Sequence, residues 1–66
     1  MITIYTTDTC PKCKILKKKL ESKEIDYKEV SNIEILKTLD IYEVPVVEID
    51  GKYLGFNEAN SWVNNQ

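Results

Sequence analysis

Histidine is absent from this 66-residue chain. That removes imidazole as a general base near neutrality, as a proton shuttle and as a metal ligand. Cysteine is almost absent, represented only by Cys10 and Cys13 in the stretch "TCPKCK". No apolar run approaches the roughly 18 residues that mark a membrane-spanning helix. The opening "MITIYTTDT" has no basic region ahead of an apolar stretch, so it does not read as a signal peptide. The formal net charge is -2, so the positive excess that suits nucleic acid or an anionic membrane is missing. These absences lead us to expect a cytoplasmic monomer with no nucleic-acid and no membrane partner.

No repeat, low-complexity segment or linker divides the chain, and we read residues 1–66 as a single domain. A domain this small buries only about 60% of the surface its unfolded chain exposes. Small domains commonly supplement such a core with several disulfides or a metal. Here a Cys10–Cys13 bridge would close a very short loop. In the chain-entropy model that is worth about 2 kcal/mol, against about 4.7 for a 100-residue loop. The pair is poorly placed as a staple, which points to chemistry. In a compartment where thiols are kept reduced, CxxC more often means catalysis or metal binding than a permanent bridge.

The patterning alternates strands and helices. "MITIYT" (1–6) and "IDYKEV" (25–30) alternate apolar and polar residues and read as strands. Between them, "PKCKILKKKLES" (11–22) reads as a helix, with Pro11 at its first position and Cys13, Leu16 and Leu20 on one apolar stripe. Ser31 and Glu34 form a capping-box pattern that opens a second helix through about Leu39, with Ile35, Leu36 and Leu39 as its apolar face. "VPVVEI" (44–49) reads as a buried strand. Asp50-Gly51 then turns it into "KYLGF" (52–56). Asn57 can cap a last helix whose Ala59, Trp62 and Val63 share a face. The order β-α-β-α-β-β-α, with one right-handed parallel crossover and one antiparallel hairpin, predicts an α/β fold. It is a four-stranded mixed sheet with helices on both faces, the thioredoxin-like arrangement.

The cysteines thus fall where the first strand hands over to the first helix. A helix start carries unpaired N–H groups and about half a positive elementary charge, both of which favour a thiolate. Lys12 adds positive potential between the two sulfurs. Cys10, ahead of the helix, is expected to be exposed and to act as the nucleophile. Cys13, on the apolar stripe, is expected to be covered and to resolve the mixed disulfide. The competing reading is a metal-binding module, in which CxxC pairs from two chains hold zinc or an iron–sulfur cluster. Lys17, Lys18, Lys19 and Lys23 fall in the second half of the helix, where cations complement its dipole; that is a simpler account than a binding patch.

"ITIYTTDTCPKC", "VPVVEIDG" and the "GF" before the last helix resemble the glutaredoxins and the glutaredoxin-like NrdH-redoxins that feed electrons to ribonucleotide reductase. The resemblance spans nearly the whole chain and implies a thioredoxin fold with sheet order 2-1-3-4 and a thiol-disulfide oxidoreductase. It implies Cys10 and Cys13 as the catalytic pair, with no permanently bound cofactor and no metal. It implies that Val44-Pro45 is the family's Val-Pro dipeptide, its bond cis and facing the cysteines, with the Val44 backbone pairing with substrate. The substrate-binding set it suggests is Pro11, Lys12, Val44, Pro45, Gly55, Phe56, Asn57 and Glu58.

Two departures bear on the reductant. Lys12 stands where glutaredoxins commonly carry an aromatic residue, and Phe56 replaces the second glycine of the glutathione-holding Gly-Gly. Gly55-Phe56 matches the ribonucleotide-reductase redoxins, which take electrons from thioredoxin reductase, although their usual CxQC is not CPKC. The resemblance therefore leaves glutathione and thioredoxin reductase both open as electron source, and protein or glutathione mixed disulfides as substrate. By residue type alone, Phe56 also suits the core beside Trp62.

Overall fold

The computed structural model describes residues 2–66. Met1, the first residue of the predicted opening strand, lies outside the described residues. The elements run β1 (Ile2–Tyr5), α1 (Pro11–Ser22), β2 (Lys28–Val30), α2 (Ile33–Thr38), β3 (Val46–Ile49), β4 (Lys52–Leu54) and α3 (Phe56–Asn64). They form one four-stranded sheet in the order β2-β1-β3-β4. The β1–β2 pair is parallel, while β1–β3 and β3–β4 are antiparallel. The element order and the mixed four-stranded sheet are those that the patterning predicts, and the strand order is the one the resemblance implies.

Strand alternation divides the sheet's side chains between two faces. Ile4 and Val47 lie on one face and are fully buried with Leu16 and Leu20 of α1 and Ala59 and Val63 of α3. Trp62, Ile49 and Leu54 pack around that cluster. Tyr5, Val46 and Tyr53 project to the opposite face, where the Tyr5 and Tyr53 rings lie 6.2 Å apart. The Tyr5 hydroxyl donates to Glu48 at 2.8 Å. Burial and that acceptor push its phenol up to about 12.

Lys17 and Lys19 of α1, and Lys23 just beyond its end, do more than complement a dipole. Lys17 pairs with Glu29 of β2 at 2.9 Å. Lys19 donates to Asn60 and Asn64 of α3, and Lys23 donates to the Gln66 carbonyl at 3.0 Å. These contacts tie the exposed side of α1 to its neighbours.

Several boundaries move. Residues 25–27 do not join β2, because α1 ends with Ile25 N–H bonded to the Leu20 carbonyl at 2.9 Å and Glu24 N–H to Glu21 at 3.0 Å. That double closure needs a left-handed residue at its centre, here Glu24 with φ 57. The same closure ends α2, with Asp40 at φ 57 and Ile41 bonded back to Leu36. The α2 cap is Asn32, not Ser31: its side chain accepts the Glu34 N–H at 2.9 Å. Of the predicted α2 face only Leu36 is buried; Ile35 and Leu39 are exposed, because a six-residue helix covers too little sheet to enclose three side chains. α3 starts at Phe56 with extended Gly55 as its cap, so Asn57 lies inside the first turn. The Asp50-Gly51 turn is as predicted, with φ 50 and 84, the positive pair that suits a hairpin's right-handed twist.

Candidate active site

Strand β1 delivers the chain to the start of α1, and Cys10 caps that helix. Its sulfur accepts the Cys13 backbone N–H at 3.1 Å, and its carbonyl accepts from Lys14 N–H at 3.4 Å. One of the helix's orphan donors is thereby aimed at a sulfur. Pro11 has no N–H to leave unpaired, which is why it suits the first position. Cys10 and Cys13 are joined as a disulfide, with their Cα atoms 5.3 Å apart. The helical turn alone sets this spacing, so oxidation and reduction need little backbone movement.

The expected exposure of Cys10 is corrected. It is only 8% exposed and Cys13 is 1% exposed. The order of access holds, but with the bridge formed the contrast is small. The exposed residues of the motif are Pro11 and Lys12.

Lys12, between the two cysteines, borders a cavity of about 370 Å³ lined also by Glu43, Val44, Pro45, Val46 and the four residues Gly55 to Glu58; neither cysteine lines it. Of the eight residues proposed to bind substrate, seven meet here; Pro11 does not line it. The Val44–Pro45 peptide is cis, as the resemblance implies, and Pro45 lies ahead of β3 rather than inside it. Phe56 is not part of the core cluster that Trp62 joins. It is half-buried, lines the cavity and has the Lys12 ammonium 5.4 Å from its ring centre. Its position in the first turn of α3 turns it toward the cavity instead of the sheet.

Gly55 has φ -73, which any residue adopts, and a Cβ there would meet nothing within 4 Å. The protein's own packing does not require glycine at this position. Glu43 and Val46 also line the cavity and were missed in the sequence. Their only signal was adjacency to Val44-Pro45. Among the described residues, no three His, Cys, Asp or Glu side chains cluster to hold a metal. A metal on the cysteine pair would need ligands from a second chain. Among the described residues, no helix is long and apolar enough to cross a membrane.

Comparison with known proteins agrees with this geometry. The chain is 42% identical, over 89% of its length and 89% of the relative's, to an uncharacterized glutaredoxin-like 8.6 kDa protein in the rubredoxin operon of Clostridium pasteurianum. Among solved structures it is similar to the thioredoxin-like protein BC3987, with TM-score 0.76, 29% identity, and coverage of 96% of this chain and 99% of that one. It shares the fold of the glutaredoxin-like NrdH-redoxin from Escherichia coli, with TM-score 0.74, 23% identity, and coverage of 97% and 91%. The glutaredoxin family model matches residues 2–54, a span that contains the cysteine pair and the Val44-Pro45 dipeptide. This chain belongs to the glutaredoxin family and is a thiol-disulfide oxidoreductase whose redox centre is Cys10 and Cys13.

Proposed function

We propose that the protein reduces disulfides of protein substrates, with Cys10 as attacking thiolate and Cys13 as resolving thiol. The observation that carries this reading is the Cys13 N–H aimed at the Cys10 sulfur at a helix start, beside a substrate-sized cavity. Such a donor and the helix's positive end stabilise the thiolate, which is the attacking species. Cys10 attacks one substrate sulfur, forming a mixed disulfide and breaking the substrate's S–S bond. The departing thiolate takes up a proton. Cys13, deprotonated, then attacks the Cys10 sulfur and expels the second substrate thiol. Two electrons and two protons pass to the substrate, and the Cys10–Cys13 bridge remains.

In this reading the Val44 backbone meets the substrate chain, while Pro11 and Lys12 border the attacking sulfur. Gly55, Phe56, Asn57 and Glu58 line the far wall. Phe56 supports a protein dithiol reductant such as thioredoxin reductase over glutathione, since its ring stands where glutathione-dependent members have open backbone. The NrdH-redoxin neighbour's thioredoxin-like activity profile accords with this choice. The disulfide of ribonucleotide reductase is the substrate that the resemblance suggests, and a reducing cytoplasm is where the dithiol would persist.

The test is to supply the oxidised protein with thioredoxin reductase plus NADPH, and separately with glutathione, glutathione reductase and NADPH. We expect rapid recovery of the dithiol only in the first system. Recovery by glutathione alone would reverse the choice of reductant, and recovery in neither would count against the redox cycle.

A further inference from the structure

The cavity beside the cysteines does not end at Glu43 and Val46. Those two residues also line a second cavity of about 380 Å³, whose other walls are Leu39, Asp40, Ile41, Tyr42 and Tyr53. The two cavities thus adjoin at Glu43 and Val46, and the second lies against Val46 and Tyr53 on the sheet face opposite the main core. The second cavity lies where α2 ends after six residues and the chain turns left-handed at Asp40. Large apolar side chains are left at the surface, with Tyr42 81%, Tyr53 52% and Leu39 40% exposed. Exposed aromatics that adjoin a reactive site mark a surface for a partner.

The charges of this second cavity share one sign. Among the described residues that line it, only Asp40 and Glu43 are charged. A cationic ligand group is complementary to it, and an anionic one is repelled.

We propose that this shelf docks the polypeptide flanking the substrate disulfide, specifically an extended segment with an apolar side chain and a basic neighbour within a few residues of the reacting cysteine. The inference rests on the reading that Cys10 attacks in the adjoining cavity. Docking holds the substrate sulfur at Cys10, so it acts on recognition and leaves the chemical step unchanged.

The test compares three disulfides against pre-reduced protein, with the reaction quenched by acid and followed by mass spectrometry. Two are peptide disulfides of equal length, one with Leu and Arg near the cysteine and the other with Ser and Glu. The third is hydroxyethyl disulfide, too small to reach the shelf. Each consumes one dithiol and yields two thiols and the Cys10–Cys13 bridge. We expect the Leu/Arg peptide to react about fivefold or more faster than the Ser/Glu peptide, the scale on which one packed interface anchor acts. Tyr42→Ser and Tyr53→Ser should lose most of that preference, and Asp40→Asn its dependence on Arg. All three should reduce hydroxyethyl disulfide at the wild-type rate.

Equal rates for the two peptides overturn the proposal, as does a preference that survives both tyrosine substitutions. A concentration-dependent dimer that Tyr42→Ser dissociates also overturns it, by assigning the shelf to a second copy of the chain. Hydroxyethyl disulfide separates this from the redox reading. If it is reduced while the peptides are not distinguished, only the shelf fails; if none of the three disulfides is reduced, the redox reading falls and the shelf with it.

Discussion

The Lys12 ammonium lies 5.4 Å from the centre of the Phe56 ring, joining the turn between the two cysteines to the first residue of α3. A contact of this kind is worth about 0.5–1 kcal/mol at an exposed site. It keeps a cation at the edge of the cavity, near where a Cys10 thiolate would form.

Replacing that cation with an anion should raise the cost of forming the thiolate. Lys12→Glu is expected to slow iodoacetamide alkylation of reduced Cys10 near neutral pH and to move the pH profile upward. The difference should shrink with salt, since the screening length is about 10 Å at 0.1 M ionic strength. Superimposable wild-type and variant profiles would remove Lys12 from the chemistry.

The two cysteines should fail in different ways. Cys10→Ser is expected to abolish disulfide reduction, because the remaining thiol, Cys13, is only 1% exposed and out of a substrate's reach. Cys13→Ser should still attack but stall, and intact-mass analysis should find it carrying the substrate as a mixed disulfide. A stalled adduct on the Cys10→Ser variant instead would reverse the assigned roles.

Glu24 sits in the left-handed region at φ 57, a conformation that costs a residue with a Cβ about 1–2 kcal/mol. Glu24→Gly should therefore stabilise the protein by about 1 kcal/mol, less the extra entropy glycine brings to the unfolded chain. The same change at Asp40 should gain less, since aspartate tolerates this region better. Urea midpoints at constant slope would read both effects, and a lower midpoint for Glu24→Gly would contradict the account.

Glu29 accepts hydrogen bonds from Lys17 at 2.9 Å and from the buried Thr6 hydroxyl at 2.8 Å, and these hold its carboxyl below the usual range. A carboxyl lowered on folding stabilises the protein above its unfolded pKa of about 4.3. That contribution is lost as the pH falls further, through the lower folded value. Wild type should lose stability over this acid window more steeply than Glu29→Gln, which lacks the titrating group. Equal slopes for the two in urea unfolding between neutral and acid pH would show the pair contributes nothing, as many surface ion pairs do.

Much of the fold is legible in the sequence because the signals are local. Cys13, Leu16 and Leu20 repeat at helical spacing and are all buried as predicted. Pro11 starts α1, and Asp50-Gly51 adopts the positive φ values that the dipeptide favours. The failures are where two local choices are nearly equivalent. Ser31 and Asn32 can both cap α2, and Gly55 and Asn57 can both begin α3. Which is used depends on where the preceding strand leaves the sheet, and a window of neighbouring residues does not contain that.

The candidate site divides in the same way. By itself the sequence determined that two thiols stand at a strand-to-helix junction with a lysine between them, because the local alternation and the proline define that junction. Only the tertiary structure brought Lys12, Glu43, Val44, Pro45 and Phe56 around one cavity and left Tyr42 and Tyr53 exposed along the one adjoining it. Those positions depend on β3 pairing antiparallel to β1 and on α3 packing against α1. Such contacts form between segments distant in the chain, and their energy comes from surfaces that meet only once the sheet has closed.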